Sequence, residues 1–232
     1  MPTHQSLAGS TDDYLLQRMV ATHADRFGDA YWAIFTAHVA PRLPSRPVAV
    51  DLGCGPGLFL HDLGARYPSA TLSGYDVTPA MIAHARQLSW AGEAPTLAVH
   101  DLVAPLPLAS GIAHLVSMSS VLHVLDEPLP VLAEIRRVLA PGGVCLLHDW
   151  IRQPLPVYLA WCRDNLGEAG PEGQRRGFRL FPAHNKYTPE DWRWLLAEAG
   201  LIIRHEAQLR ASHRLFVTTP APGAEEARPR TE

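Results

Sequence analysis

Short apolar runs alternate with amphipathic stretches from about residue 46 to residue 220. "VAVDL" (48–52), "TLSGYD" (71–76), "TLAVH" (96–100), "AHLVSMS" (113–119) and "VCLLHD" (144–149) read as strands. Helical patterns separate them. Residues 58–66 form one. "TPAMIAHARQL" forms a second, with Thr78 as N-cap and Pro79 in the first helical position. "PLPVLAEIRRVL" repeats its apolar residues at three- and four-residue spacing and is stopped by Pro141-Gly142-Gly143. A later helix, "TPEDWRWLLAEAG", starts on a capping box in which Asp191 replaces the usual Glu or Gln, facing Thr188. Gly200 ends it. "LIIRHEAQL" and "HRLFVTT" form a closing strand pair, and residues 12–40 read as two helices ahead of the sheet. Strand–helix–strand units with short loops predict an α/β fold: a seven-stranded, mainly parallel sheet with helices on both faces.

The 232 residues, 47% of them hydrophobic, suit one domain with a substantial core. The expected division is a flexible N-terminus (1–10), a helical lid (11–45), a sheet core (46–150), an insert (151–187), a closing helix and strands (188–219) and a disordered tail (220–232). A net charge of -3 leaves no basic field for nucleic acid. No apolar run approaches the roughly 20 residues of a membrane span. Residues 1–14 lack a basic region followed by an apolar core, so no secretory signal is expected. Cys54, Cys145 and Cys162 are odd in number and lack metal-ligand spacing, which points to a reducing cytoplasmic setting. One lysine against nineteen arginines suggests a GC-rich bacterial genome.

Chemistry enters with "DLGCGPG", Asp51 to Gly57. Its glycines, Gly53, Gly55 and Gly57, are spaced G-x-G-x-G, and Leu58 stands where the dinucleotide fingerprint needs its third glycine. No Gly-Lys-Ser/Thr follows, so the phosphate-loop pattern fails too. Asp51, at the strand end, would repel a pyrophosphate and suits a ligand with an ammonium group. S-adenosylmethionine has that group and no phosphate. "VAVDLGCGPG", Tyr75-Asp76, His100-Asp101-Leu102 and "SVLHVLDEPLPVLAEIRRVLAPGG" together resemble the ordered motifs of the class I S-adenosylmethionine-dependent methyltransferases.

The resemblance implies a Rossmann-like fold and a set of cofactor contacts. It gives Asp76 the ribose hydroxyls and Asp101 the adenine amino group. Asp51, Gly53, Cys54, Gly55 and Gly57 form the loop, and Tyr14, Val77, Met81, Leu102 and Ser117 complete the site. Asp101 also reads as a turn residue, Met81 as a core residue and Cys54 as merely small. One departure is His114, where many members carry Asp.

In open parallel sheets the ligand lies beyond the carboxyl ends of the strands. The acceptor is therefore expected near Ser117, Ser119, His123, His148, Asp149 and Trp150. Residues 150–194 hold eight of the eighteen aromatics: Trp150, Tyr158, Trp161, Phe178, Phe181, Tyr187, Trp192 and Trp194. They read equally as an acceptor pocket or as an apolar cap. Methyl transfer needs a base only for an acceptor with a proton to lose, and His is the natural one near pH 7. His123 is the expected proton acceptor, with Asp149 shaping the pocket and Tyr187 contributing from the insert. Strand alternation puts His148 and Asp149 on opposite faces. "SMSSVLH" offers no acidic ligands, so no metal is expected. The leading function is methylation of a small, possibly aromatic, acceptor. A cofactor-bound cyclase or isomerase, and a non-catalytic activator subunit, stay open beside it.

Overall fold

The computed structural model describes residues 11–166 and 170–222. The expected flexible start (1–10) and the tail beyond Pro222 lie outside the described residues. Seven strands form one sheet in the order β3-β2-β1-β4-β5-β7-β6. They are β1 (Val48–Leu52), β2 (Thr71–Asp76), β3 (Thr96–Val99), β4 (Ala113–Ser119), β5 (Leu139–Trp150), β6 (Leu201–Arg210) and β7 (His213–Pro220). The first five run parallel. β7 enters antiparallel between β5 and β6, with Leu147 opposite Phe216 and Asp149 opposite Arg214.

Alternation along the strands divides the core into two layers. Val50, Leu52, Val116, Met118, Cys145 and Leu147 face a layer that includes Leu132, Ile135, Trp192 and Leu196. Those last four belong to α6 (Pro128–Val138) and α9 (Pro189–Glu198). Ala49, Leu115, Val144 and Leu146 face the opposite layer, with Leu60, Leu63 and Ile82 from α4 (Leu58–Arg66) and α5 (Pro79–Ala85). Both faces are thus covered, as a parallel sheet requires. The capping box at Thr188 forms in both directions, and Gly200 leaves α9 at a φ of +70°.

Three features differ from expectation. α6 stops at Val138, before the Pro-Gly-Gly run, and β5 begins at once with Leu139. Ala140 precedes proline and is confined to extended backbone, so the helix ends earlier than the glycines alone suggest. Thr78 stands at the N-cap of α5, but its side chain makes no capping hydrogen bond; its backbone N–H instead donates to Asp76 Oδ1 at 2.8 Å. The segment ahead of the sheet is three short helices, α1 (Asp12–Ala21), α2 (His23–Arg26) and α3 (Asp29–Ile34), followed by a π turn. α1 buries no residue, whereas Tyr31, Phe35 and Val39 sit in the core. Of the segment expected as a lid over 11–45, only α1 stays clear of the core, and Tyr31, Phe35 and Val39 pack against the sheet. His114, at the position of the family's Asp, accepts the Val48 N–H at 3.1 Å and so holds the start of β1.

Candidate functional site

A cavity of about 760 Å³ opens beyond the carboxyl ends of the parallel strands. Its floor begins at the glycine loop. Gly53 N–H and Cys54 N–H both donate to Tyr75 O, at 2.7 and 3.0 Å, and draw the end of β1 onto β2. Gly53 has a φ of +69°, and a Cβ there would lie 2.2 Å from Val121 Cγ2. Only glycine satisfies both the conformation and the approach.

Two carboxylates flank the loop. Asp76 accepts Gly55 N–H through Oδ2 and Thr78 N–H through Oδ1, each at 2.8 Å. The Thr78 side chain bonds the same carboxylate, which keeps acceptor capacity for a ligand. Burial pushes its pKa up, against those bonds. Asp51 is buried at 4% exposure and accepts Ser117 Oγ–H at 2.7 Å. Burial pushes its carboxyl from 3.8 up to about 7; the Ser117 bond opposes this and the nearby Asp76 adds to it.

A second constellation lies beyond β4. Ser120 has a φ of +58°, an uncommon conformation for a residue with a side chain. It turns the chain into the short 3₁₀ segment Leu122–Val124. That segment brings His123 Nδ1 to 2.6 Å from Asp149 Oδ1, with both side chains at most 1% exposed. Trp150 N–H donates to the same oxygen at 2.7 Å. His148 points to the other face, against Tyr31 and His213, as alternation along β5 predicts. Burial drives its pKa down to about 3.

The aromatic cluster divides in two. Trp150 and Trp161 line the cavity, and His184 stacks on Trp150 at 3.9 Å, held by Tyr158 Oη at 2.6 Å. Trp192 is wholly buried beneath the sheet, while Trp194 and Phe178 are exposed. Above the cavity α1 meets α8 (Gly170–His184), where the Arg176 guanidinium lies over the Tyr14 ring at 5.0 Å.

Of the residues singled out from the sequence, Tyr14, Asp51, Gly53, Cys54, Gly55, Asp76, Val77, Met81, Asp101, Leu102 and His123 line this one cavity. Asp101 is exposed there and also closes an Asx turn by accepting Val103 N–H at 3.1 Å. Ser117 and Asp149 stand one hydrogen bond behind the lining. Gly57 caps α4 and packs on Ala85 instead. Tyr187 lies away from the cavity; its ring packs on Trp192 at 4.9 Å, because the end of the insert docks against α9. Sequence reasoning passed over Arg26, Arg210, His184 and His213, which also line the cavity. Single arginines among nineteen carry no local signal.

Residues 50–147 match the family described as "Methyltransferase domain". A malonyl-[acyl-carrier protein] O-methyltransferase of Hahella chejuensis is 35% identical over 115 residues, covering 46% of this chain and 37% of the relative. A trans-aconitate 2-methyltransferase of Methylobacterium radiotolerans is 36% identical over 105 residues, covering 45% and 36%. The chain thus spans little more than a third of the length of these curated relatives. A solved methyltransferase structure from Aquifex aeolicus aligns with a TM-score of 0.65 at 17% identity, over 88% of this chain and 96% of that one, and speaks for the fold. Residues 50–147 thus match a methyltransferase domain, and the fold is that of the S-adenosylmethionine-dependent methyltransferases.

Proposed function

We propose that the protein transfers a methyl group from S-adenosylmethionine to a small-molecule acceptor, with His123 as the base. The observation that carries this reading is a shared cavity. Asp51, Asp76 and the glycine loop sit at one end, and a buried His–Asp pair opens on the other.

The residues present fit the cofactor. A buried carboxylate at Asp51 with one hydrogen-bond donor leaves acceptor capacity for an ammonium. Asp76 keeps acceptor capacity for a ribose hydroxyl, and Val77, Met81 and Leu102 offer an apolar slot for a purine. When bound, S-adenosylmethionine supplies an electrophilic methyl on a positively charged sulfur. The chain's own share is alignment and proton handling. Asp149, as a carboxylate, accepts from His123 Nδ1–H. That fixes the tautomer in which Nε2 is basic, and it stabilises the imidazolium once a proton is taken. α1 and the Tyr14–Arg176 contact roof the cavity and keep water from the reacting end.

A cyclase or isomerase on the same scaffold would leave the cofactor unchanged. Incubation with S-adenosylmethionine and a metabolite pool, with S-adenosylhomocysteine read by mass spectrometry, separates the two. Conversion of acceptor without S-adenosylhomocysteine would refute methyl transfer. Alongside it we place the protein in a bacterial cytoplasm. Among the described residues no helix is long and apolar enough to cross a membrane.

A further inference from the structure

Two of the cavity's histidines, His123 and His184, lie side by side, and the partners of their Nδ1 atoms differ in kind. His123 Nδ1 stands 2.6 Å from the Asp149 carboxylate, which only accepts. His123 therefore carries its proton on Nδ1 and offers an acceptor at Nε2. His184 closes α8 and is 7% exposed, with Nδ1 2.6 Å from Tyr158 Oη. Tyr158 is wholly buried on α7 (Leu155–Leu166). That separation is shorter than a neutral N–H donor reaches and lies in the range of an O–H donor. Tyr158 thus donates to Nδ1, and the proton of a neutral His184 sits on Nε2. One ring is set to accept and the other to donate.

The two rings are near enough to serve one atom. Their centres are 5.6 Å apart, with the planes at 63°. Two hydrogen bonds of about 2.8 Å to a single oxygen span up to about 5.6 Å. Trp150 holds the pair in place: His184 stacks on its indole at 3.9 Å, and His123 packs against it at 6.1 Å. Trp161 meets Trp150 edge-on at 5.0 Å, and both line the cavity together with Leu180.

We infer that His184 binds the acceptor jointly with His123, that the two histidines hold one hydroxyl oxygen between them, and that the substrate class is a phenol. The inference rests on the methyl-transfer reading for what happens to that oxygen. The hydroxyl donates its O–H to His123 Nε2 and accepts His184 Nε2–H, and its second lone pair faces the methyl carbon. A carboxylate brings no proton for His123. A neutral amine has one lone pair, and a bond from His184 would leave none to attack. A phenol, with a pKa of about 10, releases its proton far more readily than an aliphatic alcohol, and its ring suits the walls of Trp150, Trp161 and Leu180. In the transfer the oxygen forms its bond to the methyl carbon, and the sulfur–carbon electron pair stays with sulfur. The O–H proton passes to His123 Nε2 and later to solvent. His184 keeps its N–H on the oxygen throughout, where negative charge develops. Tyr158 acts through His184, as a positioning residue that sets its tautomer.

Isothermal titration with para-cresol, para-xylene and para-toluate, three ligands of similar shape, tests it, with and without saturating S-adenosylhomocysteine. Para-cresol is expected to bind about tenfold or more tightly than either of the others. His184→Ala should remove most of its advantage over para-xylene. His184→Gln, which keeps an N–H donor, should restore part of it, and S-adenosylhomocysteine affinity should stay within about twofold in both variants. Nitrogen NMR shifts of the unliganded protein should place the proton on Nε2 in His184 and on Nδ1 in His123, and Tyr158→Phe should disturb His184 alone. Equal affinity for para-cresol and para-xylene overturns the inference, as does tighter binding of para-toluate. An Nδ1 proton on His184 overturns it too, and so does a His184→Ala variant that loses para-cresol and para-xylene equally, which marks a packing residue. A para-cresol preference without any S-adenosylhomocysteine binding sinks the methyl-transfer reading while keeping the hydroxyl site.

Discussion

Cofactor affinity should depend on pH through Asp51. Burial pushes its carboxyl up to about 7. The cofactor's ammonium needs the carboxylate, so binding competes with a proton. Apparent Kd then scales as one plus ten to the power of pKa minus pH. With a pKa of about 7, affinity for S-adenosylhomocysteine should fall about elevenfold at pH 6 and about a hundredfold at pH 5, relative to its limit above pH 8. The second figure corresponds to about 2.7 kcal/mol. At pH 7 about half a proton should leave for each ligand bound. Calorimetry in two buffers of different ionisation enthalpy reads both quantities. Asp51→Asn should bind weakly at every pH, with a flat profile and no proton release near 7. Asp76 is also raised, so this control matters. A flat profile in the unaltered protein, or a slope that survives in Asp51→Asn, would refute the assignment of the ammonium to Asp51.

Asp149→Asn and His123→Ala should each lower turnover about 10²–10⁴-fold with S-adenosylhomocysteine affinity within about twofold; full turnover in either variant removes the base. Gly53→Ala should weaken cofactor binding and lower Tm, since its Cβ meets Val121 Cγ2 at 2.2 Å. Adding Val121→Ala should relieve the clash and leave about 1–2 kcal/mol of backbone strain; an unaffected single variant would contradict the loop geometry. Amide exchange on adding S-adenosylhomocysteine should slow in α1 and stay slow throughout at Tyr31–Val39, which is packed in the core; equal responses in the two segments would argue against a lid confined to α1. His148 and His213 are held neutral in the fold, so their contribution to stability is present above the unfolded value of 6.5 and is lost as pH falls below it. In the Asp51→Asn background Tm should therefore drop from pH 7 to pH 5, at up to about 1.4 kcal/mol per pH unit for each histidine; replacing His148 by Asn without softening that slope would exclude it as a cause.

The parallel half of the fold is legible in the sequence because its signals are local. Each strand is an apolar run ended by a polar or glycine turn, and Asp51, Asp76 and Asp101 all fall at strand ends. The spacing of the loop glycines limits what the loop can hold. The His123–Asp149 pair is only half legible. Strand alternation separates Asp149 from His148, but the 3₁₀ turn that delivers His123 depends on Ser120 adopting a positive φ, which no pattern announces. Tyr187 misleads for a related reason. Its place among aromatics suggests a pocket, and the docking of the insert on α9 turns it away. Arg26 and Arg210 are invisible as cavity residues, since they lie 184 positions apart and line the same cavity only in the fold.

The antiparallel entry of β7 carries a consequence for how the chain is made. Until β7 is synthesised, the stretch Cys145–Trp150 of β5 has no neighbour on one side. It then presents an apolar edge with unpaired backbone groups, the kind that invites pairing with another chain. β7 arrives more than sixty residues later, after both insert helices, α9 and β6. A ribosome that pauses inside the insert therefore holds a nearly complete cofactor half with a sticky margin. Synthesis speed through residues 151–212, rather than the strength of the finished core, should set the yield of soluble protein.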